Sequence, residues 1–327
     1  MNNFAPEQVF FSLVNSHAIA RCLQVVAEFG VSDALADRPM TAADLAAQTG
    51  LNADALNRML RLLAAHGVFA HEGEGYRHTP TSELLRTNHP HSMRSPARMM
   101  GMPAIWNSFT ELAHAARTGK PVFDFAGFMT YFAANPEESS LFNQAMTERS
   151  NSIIPAVIDA YDFSPFRLIA DIGGGRGHLL RRILERTPTA SGVLFDLPHV
   201  IADAAGKESE RMRLQAGDFF ADALPATDAY LFMDVIHDWN DQDAAKILAA
   251  VRRAAPEHTR LLIIEALVSE SPGPHYSKLL DVIMLAVTGG RERTPSEYEA
   301  LFAGAGFRLE RVIPTASQHS IVEAVAA

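Results

Sequence analysis

The sequence predicts an α/β protein in which a doubly wound, mostly parallel sheet follows a mostly helical N-terminal region. From about residue 166, short apolar runs rich in Ile, Leu and Val alternate with helical segments, as in a sheet covered by helices on both faces. The first run leads into a glycine-rich turn, "DIGGGRG", over residues 171–177. Residues 1–90 instead show helical periodicity with capping residues.

Composition limits the classes of function. The chain has 327 residues, a length typical of one large or two ordinary domains, and a formal net charge of −10. This charge argues against a nucleic-acid partner, because phosphate binding needs clustered Lys and Arg. The single cysteine, Cys22, excludes an intrachain disulfide and a cysteine-based metal site. No secretory signal pattern and no apolar run of roughly 20 residues is found, so we expect a cytoplasmic protein without a membrane partner.

The N-terminal region is predicted to form a winged helix. Thr41 can cap one helix, which Gly50 ends, and Asn52 can cap a second helix. The stretch "GVFAHEGEGYRHT" then predicts two short strands around a turn. A winged helix either binds DNA or docks another protein. Charge favours docking, because Glu72 and Glu74 of the wing would face phosphates poorly.

A helical connecting region follows the winged helix. It is rich in Met and aromatic residues, most of which we interpret as core, while a subset could line a pocket for a flat apolar ligand. We therefore divide the chain into a winged-helix domain over residues 1–95, a helical connector over 96–160 and a sheet domain over 161–327.

The glycine loop indicates the kind of ligand. Gly173 and Gly175 match a dinucleotide fingerprint, but its third glycine is replaced by His178. No Lys-Ser or Lys-Thr pair follows, which excludes a phosphate-cradling loop of the P-loop type. Asp171, at the end of the strand, would repel a pyrophosphate and suit a ligand with a cationic group.

Two further acidic motifs describe the rest of this ligand. Asp196 of "FDLP", followed by Leu197, ends the next strand, where such folds place an acid on ribose hydroxyls. In "GDFF", Asp218 can accept a hydrogen bond from an adenine amino group and Phe219 can pack on the ring. Each acid alone could be a cap or turn residue. Together they predict a nucleoside with a cationic tail and no phosphate, which S-adenosylmethionine fits.

With these motifs the chain closely resembles the small-molecule O-methyltransferases of the caffeic acid O-methyltransferase type. The resemblance covers nearly the whole chain and includes "DIGGGRG", "FDLP", "GDFF", "DVIHDWND" and "GGRERT". It implies a Rossmann-like methyltransferase sheet and a homodimer joined through the N-terminal domain. It also implies metal-independent methyl transfer to a hydroxyl of a small aromatic or polyketide-like metabolite, with S-adenosylhomocysteine as the second product.

The segment "VIHDWND" is predicted to carry the chemistry. A phenol is a poor nucleophile until it loses its proton, and a histidine at the catalytic edge can take that proton. The resemblance makes His237 the general base and gives Asp238 the task of placing the substrate hydroxyl. It also implies that Glu265 and Glu292 flank the base and hold its imidazole. Without the resemblance, Glu292 could be a charge at a helix entry near Thr294.

Substrate and cofactor contacts complete the expected site. Met146 and Met284 match family positions that sandwich the substrate ring, and Trp106 is a third pocket candidate, although all three could be core residues. Met233 stands where plant members often carry a cofactor-binding Lys, so one cofactor contact is lost or supplied differently. The "VTGG" stretch is shorter than the corresponding "HNPGG" stretch of plant members, and it lacks the Asn that those members carry near the substrate. The substrate preference of the plant members therefore does not carry over.

Two other hypotheses about function are consistent with parts of this sequence pattern. Some relatives methylate nitrogen or use S-adenosylmethionine without transferring methyl, so an N-methyltransferase or an atypical enzyme is an alternative. The winged helix also allows a DNA-binding regulator that senses S-adenosylmethionine, although the acidic balance and the complete catalytic set oppose it.

Overall fold

The computed structural model describes residues 5–121, 123–206 and 209–327. The chain separates into two compact units, formed by Met1–Trp106 with Phe132–Arg149 and by Asn107–Tyr131 with Ser150–Ala327. The three domains predicted from the sequence have different boundaries, and their separate roles stay a prediction.

The first unit is mostly helical. Its elements are α1 (Pro6–Val14), α2 (Ser16–Glu28), α3 (Val31–Ala34), α4 (Ala42–Thr49), α5 (Ala53–Ala65), β1 (Phe69–Glu72), β2 (Gly75–His78), α6 (Pro80–Glu83), α7 (Arg94–Met100) and α8 (Pro103–Trp106). Further along the chain, α10 (Phe125–Ala134) and α11 (Pro136–Ala160) contribute residues to both units.

The predicted order of two helices and a hairpin is confirmed. The Thr41 side chain accepts a hydrogen bond from the backbone N–H of Asp44 at 3.2 Å and so caps α4. In the same way Asn52 caps α5 through the N–H of Ala55 at 3.0 Å. Gly50 ends α4 with a φ of 73°, a conformation that favours glycine. Strands β1 and β2 then pair antiparallel.

Burial differs sharply between the helices of the first unit. Leu56, Leu60 and Leu63 of α5 are fully buried in its core. In contrast, α1 buries none of its residues. Its large apolar side chains are 46–68% exposed in the single chain: Val9, Phe10, Phe11, Leu13 and Val14.

The second unit is built on one sheet. Its elements are α9 (Leu112–Thr118), β3 (Leu168–Ile172), α12 (His178–Arg186), β4 (Ser191–Asp196), α13 (Pro198–Ala204), β5 (Met212–Ala216), β6 (Ala229–Met233), α14 (Asp241–Ala254), β7 (Arg260–Glu265), α15 (Tyr276–Val287), α16 (Pro295–Gly304), β8 (Phe307–Pro314) and β9 (Ser320–Ala326).

The sheet has the predicted doubly wound topology. Its strand order is β5-β4-β3-β6-β7-β9-β8, and β3 to β7 pair in parallel. The chain moves outward from β3 to β5 and then returns to the other side of β3 with β6. Ligands bind in open α/β sheets where the strand order reverses, at the carboxyl ends of the strands. The topology therefore predicts a ligand site at the carboxyl ends of β3 and β6.

The two C-terminal strands were not predicted from the sequence. Strand β9 lies between β7 and β8 and pairs antiparallel with both, and a register shift between Leu309 and Arg311 interrupts the alternation of β8. Strand β9 carries the buried Glu323 in an otherwise apolar run. The Tyr161 hydroxyl donates to Glu323 at 3.0 Å and Arg311 donates to it at 2.6 Å. These partners come from distant segments, so sequence periodicity does not reveal them.

None of the described helices is by itself long and apolar enough to cross a membrane. The pair α1 and α2, bent by 42° at their junction, meets the length and composition criteria only when the two helices are taken together. The predicted cellular location stays a prediction.

Candidate active site

The candidate residues of the second unit gather at the carboxyl edge of the parallel strands. Asp171 is the last residue but one of β3, Asp196 ends β4 and Glu265 ends β7. His237 follows β6 in the short 3-10 helix Ile236–Asp238. Because β4, β3, β6 and β7 are consecutive in the sheet, these side chains lie along one edge.

The glycine loop after β3 is fixed by Asp196. Gly173 and Gly175 have φ angles of 66° and 59°, which side chains other than glycine rarely adopt. The Asp196 carboxylate accepts the backbone N–H of Gly175 at 2.8 Å and that of Leu197 at 2.7 Å. Burial raises the pKa of Asp196, and these two donors partly offset the shift. A carboxylate can accept about four hydrogen bonds, so these two N–H groups leave acceptor capacity for the predicted ribose contact.

Asp171 is an ionisable side chain buried under the loop. It is 1% exposed, and neither of its carboxylate oxygens has a hydrogen-bond partner among the described residues. A Cβ on Gly174 would lie 2.4 Å from this carboxylate, so the loop can close over it only with glycine. Burial, and then the charge of Asp196, raise the pKa of Asp171 to about 7. A buried, unpaired carboxylate is costly unless a ligand pairs with it.

The "GDFF" turn follows β5. The Asp218 carboxylate accepts the backbone N–H of Phe220 at 2.8 Å, so this side chain serves the turn, as one of the sequence alternatives proposed. The Phe219 ring packs at 5.9 Å from the ring of Trp239. The adenine contacts predicted for Asp218 and Phe219 stay predictions.

His237 is held by two buried carboxylates in different ways. Its Nδ1 lies 2.7 Å from Oε1 of Glu292, and its side chain is only 4% exposed. Glu265 holds the same residue through the backbone: its Oε1 accepts the backbone N–H of His237 at 3.0 Å. The hydroxyl of Tyr298 donates to the other oxygen of Glu265. Both glutamates thus flank His237, Glu292 at the ring and Glu265 at the backbone, and their catalytic roles stay predictions.

The environment of His237 favours its protonated form. Burial lowers the pKa of His237. The carboxylate of Glu292, followed by those of Asp238 and Glu265, raises the pKa by more than burial lowers it, and the result is about 10. Nδ1 is occupied by Glu292, so a proton exchanged with a ligand must pass through Nε2. Nε2 lies 4.0 Å from carboxylate oxygens of both Asp234 and Asp238.

The clamp segment, residues 289–294 with the sequence GGRERT, holds the histidine turn in place. The N–H of Arg291 donates to the carbonyl of His237 at 2.8 Å. Arg293, 1% exposed, donates to the carbonyls of Ile236 at 3.2 Å and Trp239 at 2.9 Å. These bonds fix the backbone on both sides of His237. Sequence reasoning missed Arg293, whose only signal was its place in "GGRERT".

The structure also decides how Glu292 relates to α16. Thr294 caps this helix, and the acid that completes the cap is Glu297, whose Oε2 accepts the Thr294 N–H at 2.8 Å. Glu292 therefore does not serve as the helix-entry charge and is directed to His237 instead.

The three candidate pocket residues fall in different units. Trp106 and Met146 belong to the first unit, where the Arg21 guanidinium lies 5.5 Å from the Trp106 ring centroid. Met284 belongs to the second unit and packs with Ala266 in a buried cluster. Their role in lining a substrate pocket stays a prediction. Met233 ends β6 and packs against buried apolar residues of the sheet.

The described residues fit S-adenosylmethionine. The unpartnered Asp171 suits a cationic amino group, and a Cβ on Gly175 would meet nothing within 4 Å, so this part of the loop leaves space for a ligand. Asp196, Asp218 and Phe219 supply polar and aromatic groups along the same edge. Among the described residues we find no group of three or more His, Cys, Asp or Glu side chains that could hold a metal ion.

The open parallel sheet, its glycine loop and the acids at its edge define the chain as an S-adenosylmethionine-dependent methyltransferase. Comparison with known proteins identifies the family. Residues 109–308 match the O-methyltransferase domain, and residues 11–88 match the O-methyltransferase dimerisation domain. The chain therefore belongs to this family of O-methyltransferases, and the fold class, enzyme class and cofactor predicted from the sequence are confirmed.

Relatives and solved structures agree over the whole chain. A phenazine O-methyltransferase of Lysobacter antibioticus is 40% identical over 97% of this chain and 95% of its own length. The S-adenosylhomocysteine-bound structure of CalO1, a methyltransferase in calicheamicin biosynthesis, superposes with a TM-score of 0.89 at 34% identity and covers 100% of both chains. Human N-acetylserotonin methyltransferase in complex with S-adenosylmethionine gives a TM-score of 0.89 at 28% identity, over 100% of this chain and 99% of its own.

Proposed function

We propose that the chain methylates a hydroxyl of a small aromatic or polyketide-like metabolite and that His237 is the general base. The observation that carries this assignment is the buried His237–Glu292 pair, joined at 2.7 Å through Nδ1. Glu292 fixes the orientation of the ring and leaves Nε2 to exchange the proton. The relative from Lysobacter antibioticus, a phenazine O-methyltransferase, supports an aromatic acceptor.

S-adenosylmethionine, when bound, supplies a methyl group on a sulfonium. His237 Nε2 takes the proton of the acceptor hydroxyl, and the oxygen then forms a bond to the methyl carbon. With the cofactor bound, the carbon–sulfur bond would break with its electrons going to sulfur, leaving S-adenosylhomocysteine, while His237 would hold the acceptor's proton. The remaining task of the chain is to hold the acceptor oxygen in line with the methyl group.

The raised pKa of His237 has a consequence for this task. At about 10, it keeps the imidazole of the ligand-free chain protonated at neutral pH, so the ring must lose that proton before it can accept the proton of the acceptor hydroxyl. A cation bound near His237 lowers its pKa, so we infer that cofactor binding releases this proton and prepares the base.

The other roles follow the sequence prediction. We assign the cofactor amino group to Asp171, its ribose to Asp196 with Leu197, and its adenine to Asp218 and Phe219. The loop at Gly173 and Gly175 and the end of β6 at Met233 would complete the cofactor site. Asp238 would place the acceptor hydroxyl, and Met284 would contact the acceptor ring. The pocket roles of Trp106 and Met146 stay predictions from the family resemblance.

Replacement of the base tests the proposal. We expect His237→Ala to lower turnover roughly 100-fold or more, while binding of S-adenosylhomocysteine, followed by isothermal titration, stays near the wild-type value. His114→Gln is a matched control, because this histidine is exposed on α9. Wild-type turnover by His237→Ala would refute the base assignment. Mass analysis of the product, with phenol and amine acceptors in parallel, shows whether nitrogen is also methylated.

We also propose that the chain is a homodimer joined through its first unit. The match of residues 11–88 to the O-methyltransferase dimerisation domain supports this assembly. The uncovered apolar side chains of α1 give a physical reason for it, because a second copy would remove them from water. A docking role of the winged helix agrees with its acidic wing better than DNA binding does.

A further inference from the structure

A second histidine–carboxylate pair stands on the Nε2 side of His237. Asp234 Oδ1 lies 4.0 Å from Nε2, the nitrogen that faces the acceptor in the proposed mechanism. The same oxygen lies 2.8 Å from Nε2 of His319. Sequence reasoning singled out neither Asp234 nor His319.

The backbone holds Asp234 in an unusual conformation. Its φ is 55°, in the left-handed region that residues other than glycine rarely adopt and that is often found at functional sites. Its N–H donates to the carbonyl of Ile264 in the neighbouring strand β7 at 3.2 Å. The carboxylate is close to His237, at 4.0 Å from its Nε2. Because the side chain is 15% exposed, a small ligand can still reach it.

His319 is fixed by the turn between β8 and β9. The Thr315 hydroxyl donates to the carbonyl of His319 at 2.7 Å, and the His319 N–H donates to the hydroxyl of Ser317 at 3.1 Å. The His319 side chain is 2% exposed and therefore cannot move freely. It holds the Asp234 carboxylate from the side of β9, whereas His237 approaches from the side of β6.

This geometry sets a rule for the acceptor. A hydroxyl that hydrogen-bonds to Nε2 of His237, at about 2.8 Å, brings the neighbouring ring substituent near Asp234. A carboxylate accepts about four hydrogen bonds, so the bond with His319 does not by itself fill the acceptor capacity of Asp234. A donor there would form a charge-assisted hydrogen bond, and a carboxylate there would be repelled.

We propose that Asp234, oriented by His319, is a specificity-determining residue that favours acceptors with a hydrogen-bond donor next to the reacting hydroxyl and disfavours those with a carboxylate at that position. The inference rests on the proposed placement of the acceptor hydroxyl at His237.

Binding of three matched naphthols to the enzyme–S-adenosylhomocysteine complex tests the inference. By isothermal titration, wild type should bind 2,3-dihydroxynaphthalene about 10-fold or more tightly than 2-naphthol, and 3-hydroxy-2-naphthoate most weakly. Asp234→Asn should remove most of this ranking, with the largest gain for the naphthoate. Asp203→Asn, an exposed acid on α13, is the control and should keep the ranking.

Variants of His319 separate orientation of Asp234 from general support of the fold. His319→Gln retains a donor for Asp234 and should keep the ranking, whereas His319→Ala should weaken it. Equal wild-type affinities for the three naphthols, or no binding of any at millimolar concentration, would overturn the proposal. So would an equal loss of affinity for all three in Asp234→Asn, because that is the signature of a purely structural residue.

The His237→Ala variant distinguishes failure of this inference from failure of the proposed function. If His237→Ala is inactive and Asp234→Asn keeps the wild-type ranking, only the role of Asp234 is wrong. If His237→Ala keeps wild-type turnover, the base assignment is wrong and the rule for the acceptor falls with it.

Discussion

The ionisation of His237 depends mainly on one neighbour. Burial alone would lower the pKa of His237, and the carboxylate of Glu292 at 2.7 Å is the largest influence that raises it. The imidazole is therefore charged because of Glu292, and it is correctly oriented because of the same contact. A single substitution at position 292 should change both properties.

We predict that Glu292→Gln lowers the pKa of His237 and lowers turnover by about 10-fold or more, because the ring loses its charged partner. Titration of the His237 imidazole by NMR measures the pKa, and initial rates measure turnover. The folded-state pKa in wild type exceeds the ordinary value, so protonation of His237 stabilises the folded chain fully below about pH 6.5. This stabilisation is lost as the pH rises through about 10.

The same substitution gives a measurable effect on stability. The free energy of unfolding of wild type minus that of Glu292→Gln should decrease as the pH is raised from about 6.5 to 10. Urea unfolding at several pH values measures this difference. A difference that does not depend on pH would show that His237 does not carry the raised pKa.

Asp171 presents a conflict between folding and ligand binding. Its folded-state pKa of about 7 lies above the ordinary value, so its contribution to stability is fully present below about pH 3.9 and is lost as the pH rises through 7. At pH 8 the buried carboxylate thus destabilises the ligand-free chain. The proposed pairing with the cofactor amino group would offset this cost.

We predict that Asp171→Asn raises the free energy of unfolding of the ligand-free chain at pH 8, by as much as a few kcal/mol, and has little effect near pH 4. It should also weaken binding of S-adenosylmethionine. Urea unfolding and isothermal titration provide the two measurements. A variant that is less stable at pH 8 and binds the cofactor normally would contradict both parts of this account.

At the scale of elements, the site depends on the close contact between the clamp segment and the histidine turn. A Cβ on Gly290 would lie 2.0 Å from the carbonyl oxygen of His237 and 2.6 Å from the carbonyl carbon of Asp238. Both atoms belong to the backbone, so relief requires the two segments to move apart. Glycine at this position therefore determines the distance between Glu292 and His237.

We predict that Gly290→Ala destabilises the chain by about 1–3 kcal/mol and reduces turnover more than it reduces cofactor binding. Gly304→Ala is a matched control, because a Cβ there meets nothing within 4 Å and should leave stability nearly unchanged. Thermal unfolding and initial rates compare the two variants. Wild-type activity in Gly290→Ala would mean that the clamp does not position the base.

The contrast between elements shows what the sequence alone could predict. The helices of the winged helix were predictable because caps such as Thr41 and Asn52 act on residues three positions away. The parallel strands were predictable because both of their faces are buried. The role of Gly290 and the partner of Glu265 were not, since each depends on a contact with the histidine turn, which lies 28 or more positions away. Likewise, no local pattern joins Asp234 to His319, 85 positions later.

At the scale of the whole molecule, the single chain leaves an apolar surface exposed to water. Helix α1 exposes five large apolar side chains and buries none of its residues. Complete burial of one such side chain contributes about 1.5–3 kcal/mol, so covering all five amounts to several kcal/mol for each chain. This is enough to favour association, provided that the partner surface is complementary.

We predict that the purified chain is a dimer with twice the 35.7 kDa mass of one chain and that the double substitution Phe10→Glu and Phe11→Glu shifts it to the monomer. The two rings are 62% and 64% exposed in the single chain, so charges there would be harmless in a monomer and costly in a dimer interface. Leu279→Glu is the control, since this side chain is 60% exposed on α15, outside the dimerisation domain. Light scattering over a range of concentrations measures the mass. A monomeric wild type, or a double variant that stays dimeric, would exclude α1 from the interface.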